Sequence, residues 1–249
     1  MDNCVDKTKD SPDCIIINNV NKYFGKKQVL FDINLNVPNH QILGLLGPSG
    51  SGKTTLVKMI AGVDSPTSGE ICVLDQKMPK LKMMYNIGYM AQADALYGEL
   101  TAKENLQFFG SMYNMSKQKQ NDRIKQVMEL VNLSDHINKQ VKLYSGGMKR
   151  RLSLAISLIH EPKVLILDEP TVGIDPVLRK SIWAELYNLS KSGTTIVVTT
   201  HVMDEAEKCD SLGMIRDGCL IATGSPDKLK EDTGSKTLEE AFLYYGGVH

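Results

Sequence analysis

Two short segments of the chain can do phosphate chemistry. Gly47-Pro48-Ser49-Gly50-Ser51-Gly52-Lys53-Thr54 follows the apolar run Gln41 to Leu46 and precedes a helix-forming stretch, Thr55 to Ala61. Gly-x4-Gly-Lys-Thr between a buried strand and a helix has the spacing of a phosphate-binding loop. Its glycines let backbone N–H groups turn toward an anion with no Cβ in the way. Those amides and the positive end of the helix form an anion cradle. Lys53 is placed to reach terminal phosphates, and the Thr54 hydroxyl to ligate a Mg2+ ion that bridges them. The second segment, Val164-Leu165-Ile166-Leu167-Asp168-Glu169, is an apolar strand that ends in two acids. Acids at the carboxyl end of a buried strand stand at the ligand crevice of an open α/β sheet. Asp168 is then expected to hold the magnesium shell. Glu169 is expected to polarise a water aimed at the terminal phosphate of ATP, as general base.

A third segment is Leu143-Tyr144-Ser145-Gly146-Gly147-Met148-Lys149-Arg150-Arg151-Leu152. Ser-Gly-Gly opening a basic, amphipathic helix is a second anion site, made of free N–H groups and a hydroxyl at a helix N-terminus. One polypeptide has no evident use for two such sites. Two polypeptides facing each other head-to-tail do. The basic run Lys149-Arg150-Arg151 reads as a solvated helix face rather than a polyanion site.

The elements that must carry these segments are legible in periodicity. Phe31, Ile33, Leu35 and Val37 alternate with Asp32, Asn34 and Asn36, which predicts a half-buried antiparallel strand ended by Pro38. Cys14 to Asn19 predicts another strand. Gln41 to Leu46, Lys163 to Leu167 and Thr194 to Thr199 are continuously apolar, as buried parallel strands are. Between the last two, Val177, Leu178, Ile182, Trp183, Leu186 and Leu189 recur at helical spacing over Pro176 to Ser190. Strand and helix therefore alternate in the second half, and an α/β core follows. The middle is helical. Thr101 with Glu104 forms a capping box before Leu106, Phe109, Met112 and Tyr113. Ile124, Val127, Met128 and Val131 continue the pattern, and a third helix is expected from near Ser145 through Ile159. Asp217-Gly218 joins two short strands as a hairpin. The expected layout is an α/β core, an N-terminal antiparallel β layer and a helical insertion at about residues 93–160. A tail at 1–13 is expected to be flexible, the folded domain spans 14–245, and 246–249 form a short C-terminal tail.

Bulk composition narrows the function classes. The chain has 249 residues, enough for a substantial core. Lys plus Arg and Asp plus Glu number 29 each, so no global basic field argues for nucleic acid. The five cysteines (Cys4, Cys14, Cys72, Cys209 and Cys219) are odd in number and form no CxxC pair. They read as reduced thiols, with no zinc site. No apolar run reaches the roughly 18 to 20 residues of a membrane span. The polar stretch Met1 to Asp13 lacks the apolar core of a signal peptide. A soluble, cytoplasmic protein is the expectation.

With these motifs in this order, the sequence resembles the ATP-binding subunits of ABC transporters over about Cys14 to Tyr245. The Walker A loop is GPSGSGKTT, Gly47 to Thr55. The Q-loop is GYMAQ, ending at Gln92. The signature is YSGGM, Tyr144 to Met148, and Walker B is VLILDE, Val164 to Glu169. The D-loop is GIDP, Gly173 to Pro176, and the switch histidine is His201. The signature departs from the commonest form, LSGGQ, at Tyr144 and Met148. YSGGMKRR, GIDPVLR and the LEEAFL at Leu238 to Leu243 resemble the exporter branch, whose type-2 permeases carry drugs, lipids or polysaccharides. The resemblance implies a P-loop NTPase (RecA-like) core with an ABC-specific helical insertion. It implies that Phe24 stacks on adenine; Tyr23 is the alternative, and an ordinary core aromatic the plain one. It implies that Gln92 completes the magnesium and water shell, and that His201 bonds the γ-phosphate and orients Glu169. Asp175 would cross a dimer interface, or cap a helix before Pro176, or both. Ser145, Gly146 and Gly147 would close over ATP held by a second ATP-binding subunit, identical or closely homologous. A separate integral-membrane permease would tie the pair to the cytoplasmic face of the membrane. The rival reading is a soluble ABC-type ATPase without a permease, such as an iron–sulfur assembly ATPase. Only about 90 residues separate Thr55 from Ser145, with no sustained heptads, which argues against the coiled-coil members.

Overall fold

A computed structural model describes residues 13–247. In chain order the first half holds β1 (Asp13–Phe24), β2 (Lys27–Pro38), β3 (Ile42–Leu46), α1 (Lys53–Ile60), β4 (Ser68–Val73), β5 (Gln76–Lys77) and β6 (Ile87–Met90). Three helices follow, α2 (Ala102–Met112), α3 (Lys117–Leu130) and α4 (Gly146–Leu158). The second half holds β7 (Val164–Asp168), α5 (Pro176–Lys191), β8 (Thr195–Thr200), α6 (Met203–Ala206), β9 (Ser211–Arg216), β10 (Cys219–Gly224), α7 (Pro226–Thr233) and α8 (Leu238–Tyr245).

Two sheets result. β2-β1-β4-β5 is antiparallel throughout. The larger sheet runs β10-β9-β3-β8-β7-β6; its four pairings from β9 to β6 are parallel, and the edge strand β10 pairs antiparallel with β9. β3, β7 and β8 are buried at every residue, as strands covered on both faces must be. Side chains along β3 go alternately to two cores. Ile42 and Leu46 join the helices α2 to α5, while Leu43 and Leu45 join the antiparallel layer and α1. The α/β P-loop core, the antiparallel layer and a helical segment between β6 and β7 are all present.

Register decides what the sheet presents. Leu46 pairs with Thr200 and Asp168 with Thr199. The ends of β3, β8 and β7 therefore finish level, and the segments that follow them emerge side by side.

Several expectations are corrected. Phe31 does not point inward with Ile33, Leu35 and Val37; it is 41% exposed. Asp32 takes a left-handed backbone, φ 46°, which breaks the alternation, and Leu30 fills the core position instead. Val177 is exposed in the first turn of α5, because that turn lies outside the stripe buried through Ile182, Trp183 and Leu186. Asp13, expected in the tail at 1–13, opens β1 instead and accepts from Asn36 Nδ2 at 2.9 Å. The tail's other residues, like 248 and 249, lie outside the described residues. Cys72 is disulfide-bonded, whereas Cys14, Cys209 and Cys219 are free. An odd count guarantees one free thiol and does not forbid a bridge, so the expectation of five reduced thiols fails at Cys72.

Candidate functional site

The loop between β3 and α1 is shaped by what surrounds it. A Cβ at Gly47 would stand 2.1 Å from the Ile215 carbonyl oxygen, and one at Gly52 would stand 2.6 Å from Leu30 Cδ2. Gly52 also takes φ 105°, a region closed to L side chains. It is the N-cap of α1 and gives no side-chain cap bond. The first N–H groups of α1 are thus left for a ligand, at the positive end of the helix. Lys53 Nζ donates to the carbonyls of Gly47 at 2.7 Å and Pro48 at 2.9 Å. Those bonds use two of its three donors. Burial pulls the Lys53 ammonium below the ordinary lysine value, and the charges of Glu169 and Asp168 oppose that shift.

A cleft of about 270 Å3 opens over this loop, lined by Ser49, Gly50, Gly52, Lys53, Thr54, Thr55, Val29, Gln92 and Glu169. Its floor is acidic. Asp168, fully buried at the end of β7, accepts from Thr199 Oγ1 at 2.6 Å and from Thr54 Oγ1 at 3.2 Å, both through Oδ1. Its Oδ2 is buried without a hydrogen-bond partner. An unpaired buried carboxylate oxygen is costly unless a cation or a donor meets it. Oδ2 beside the Thr54 hydroxyl is therefore a hard, oxygen-rich donor set that fits Mg2+.

Glu169 has φ 53°, a left-handed backbone held by a non-glycine residue. Its N–H donates to Thr199 Oγ1 at 3.0 Å. That turn aims the carboxylate into the cleft, where Oε1 meets His201 Nδ1 at 3.1 Å and Oε2 accepts from Gln92 Nε2 at 3.3 Å. Two residues from distant parts of the chain so converge on one carboxylate.

The remaining candidates lie apart from the cleft lining. Phe24 is exposed at the tip of the β1–β2 hairpin, with Lys22 Nζ 4.9 Å from its ring centroid; β2 of that hairpin sends Val29 to the cleft. Tyr23 beside it is also exposed. Ser145 is the N-cap of α4 and accepts from Met148 N at 3.3 Å. Ser145 and Gly146 face outward, and a Cβ on Gly147 would touch the Gly173 carbonyl at 3.3 Å. Signature and D-loop therefore adjoin each other. Asp175 caps α5 through Leu178 N at 3.0 Å, with Pro176 in the first turn.

Sequence reasoning missed three residues that hold the site and its helices together. Arg150, read as part of a solvated face, is buried. Its Nη1 donates to the carbonyls of Ala91 (2.7 Å) and Gln92 (2.8 Å), and its Nη2 to those of Asp168 and Glu169 (2.7 Å for the latter). One guanidinium thereby ties the Q-loop to the end of β7. Arg151 binds the carbonyls of Val131 and Asn132 at the end of α3. The solvated-face reading of the run is corrected at both arginines: backbone carbonyls just past the ends of β6, β7 and α3 draw them in. Thr199 was also missed. Its signal was present, a hydroxyl at the carboxyl end of a strand whose centre, Ile196 to Val198, is apolar.

The chain is similar to known proteins in sequence and in fold. The family described as ABC transporter matches residues 30–172. The chain is 42% identical over 232 residues to a probable multidrug ABC transporter ATP-binding protein of Escherichia coli, covering 89% of this chain. It spans only 40% of that protein's length. It is 41% identical to the Nod factor export ATP-binding protein I of Bradyrhizobium diazoefficiens, covering 92% of this chain and 74% of the relative. A solved dimeric ATP-binding cassette in a post-hydrolysis state, bound to ADP and Pi, superposes with a TM-score of 0.79 at 27% identity, over 85% of this chain and 98% of that one.

Proposed function

The chain belongs to the ABC transporter family, and from that membership we propose that it is the ATP-binding, ATP-hydrolysing subunit of an exporter. Two copies, or this chain and a close homologue, close head-to-tail on two ATP molecules. Each ATP lies between Gly47 to Thr55 of one chain and Ser145 to Gly147 of the other, with adenine against Phe24. The observation that carries this reading is the Glu169 carboxylate, turned into the cleft and gripped by His201 and Gln92. Such a group can take a proton from a water attacking the γ-phosphate. The loop amides and Lys53 hold the phosphates in line. Asp168, Thr54 and Gln92 would hold Mg2+, which neutralises phosphate charge when bound. His201 fixes the Glu169 carboxylate and stands where it can bond the γ-phosphate. Asp175 would reach across the dimer while capping α5.

Hydrolysis removes the anion that bridges the two chains, and the dimer opens. A membrane permease would convert that motion into transport. Among the described residues no helix is long and apolar enough to cross a membrane, so the pore would be another chain, and this one would sit at its cytoplasmic face. An exposed aromatic cluster just past Gln92 supports such docking: Tyr97 and Phe108, both more than two-fifths exposed, meet with ring centroids 4.9 Å apart. The relatives named for multidrug and Nod factor export favour export over the iron–sulfur assembly reading.

Glu169→Gln tests the base. The variant should bind ATP, accumulate as a dimer and lose about 100-fold or more in turnover, the scale of a positioned general base. Wild-type turnover by this variant would overturn the role given to Glu169.

A further inference from the structure

The catalytic carboxylate and the switch histidine sit on different loops, after β7 and after β8, yet they must stay in hydrogen-bond reach. Glu205 stands behind both. It lies in α6 and is only 3% exposed. Its Oε1 accepts from Thr171 Oγ1, and its Oε2 accepts from Thr200 Oγ1 at 2.8 Å. Thr171 is two residues past Glu169 and fully packed; Thr200 immediately precedes His201 and is equally buried. Thr200 Oγ1 in turn accepts from Val202 N at 3.0 Å, which bends the chain around His201. The third neighbour is Arg179 of α5, whose Nε is 3.7 Å from Oε1. Arg179 also donates to the Ile174 carbonyl in the segment that leads into α5. One buried carboxylate thus receives the loop carrying Glu169, the loop carrying His201 and the helix that Asp175 caps.

We propose that Glu205 is a positioning residue for ATP hydrolysis, holding the Glu169 and His201 loops in register so that the contact between those two side chains is kept through the cycle. The proposal rests on the ATPase reading above. Thr171 and Thr200 each contribute one hydroxyl to a separate oxygen of the same carboxylate. A glutamine at 205 keeps the shape but replaces one acceptor oxygen by an NH2 donor and removes the charge that faces Arg179. One hydroxyl must then reverse its bond, and the NH2 group meets a guanidinium that offers it no acceptor, so the tethers shift and His201 Nδ1 drifts relative to Glu169 Oε1. A buried carboxylate with two hydroxyl donors and an adjacent guanidinium is stable only while those partners stay, so the three elements are expected to move together.

The test is a double-mutant cycle read in the full chain. Glu205→Gln should lower kcat for ATP about tenfold with KM within about twofold, the pattern of a group that acts on the transition state alone. The same substitution in a His201→Ala background should cost nothing further, because the geometry it protects is already gone. A full additional loss in that background, or an unchanged kcat in the single variant, would overturn the proposal. Thr171→Val and Thr200→Val each remove one tether and carry the same cycle should Glu205→Gln not fold. A readout without turnover separates this proposal from the ATPase reading. The imidazole NMR signals of His201 should shift in Glu205→Gln and stay put in Glu231→Gln, an exposed control. Unmoved His201 signals in a folded variant sink the positioning role; a wild-type chain that fails to hydrolyse ATP sinks the ATPase reading instead.

Discussion

Two glycine-rich helix starts in this molecule look alike in sequence and differ in every physical respect. At α1 the loop is enclosed: Gly47 abuts Ile215, Gly52 abuts Leu30, and Lys53 is buried. The helix has no cap of its own. At α4 the start is open. Nothing lies within 4 Å of where a Cβ on Gly146 would point, and Ser145 already caps Met148 N. The first site is a cradle of fixed shape with a cation inside it. The second is a self-capped helix start whose Ser145 and Gly146 face outward. The difference teaches that the first can recognise a polyphosphate by itself, whereas the second adds affinity only when another surface brings an anion to it.

Adding one methyl group to each site should separate them, and the larger effect is expected at the enclosed one. Gly47→Ala must move either the loop or the Ile215 carbonyl, since backbone at 2.1 Å cannot yield as a side-chain end would. A loss of about 1–3 kcal/mol in stability is expected, as for overpacking of a tight site, together with loss of ATP binding. Denaturant unfolding and nucleotide titration measure the two. A variant with native stability and native affinity would show that the cradle is not rigid, and the contrast between the sites would collapse.

Gly146→Ala probes the open site. Its fold should be unaffected, within about 0.5 kcal/mol, as for surface positions free of special geometry. ATP affinity of the separate chain should also be unchanged. What should fall, by about tenfold, is ATP-driven dimerisation, because the new methyl occupies the face that would meet the other chain's phosphate in the proposed dimer, and each lost interfacial contact of about 1.4 kcal/mol is a factor of ten. Sedimentation of the Glu169→Gln variant with and without Gly146→Ala reads this directly. Undiminished dimerisation would remove the second anion site from the mechanism.

The contrast also explains what the sequence disclosed. The cradle was legible because its parts are contiguous: strand, glycines, lysine and helix follow one another, and each constrains its neighbours locally. Asp168, Glu169 and His201 were legible for a related reason, since each closes an apolar strand of a parallel sheet. Arg150 was not, because its burial depends on carbonyls 18 to 59 residues away in the chain, and a run of three cations carries no mark of which one turns inward. Glu205 and Thr171 escaped for the same reason, being joined across 34 residues. Phe31 was misplaced because a single left-handed residue, Asp32, shifts which side chains face the core. Alternation counts residues and is blind to backbone sign.

The smallest expected effect concerns charge, and it too divides the two sites. Lys53 is the titratable cation of the cradle, and burial draws its ammonium below the ordinary lysine value. As pH rises it therefore loses its proton before an exposed lysine would. A phosphate in the cleft favours the charged form, so the effect belongs to the free protein and should appear in KM while kcat at saturation stays flat. ATP affinity should thus weaken through the alkaline range below the titration of ordinary lysines. Stability should move the other way. In that window the unfolded chain still holds the proton that the folded chain has released, and stability rises with pH wherever the unfolded state binds more protons. Lys53→Arg keeps the charge across the window and should abolish both trends. The amides and hydroxyl of Ser145 to Gly147 do not titrate there, so dimerisation at saturating ATP should show no matching limb. An alkaline loss of dimerisation that survives Lys53→Arg would place a titrating group at the open site and end its description as a neutral anion platform.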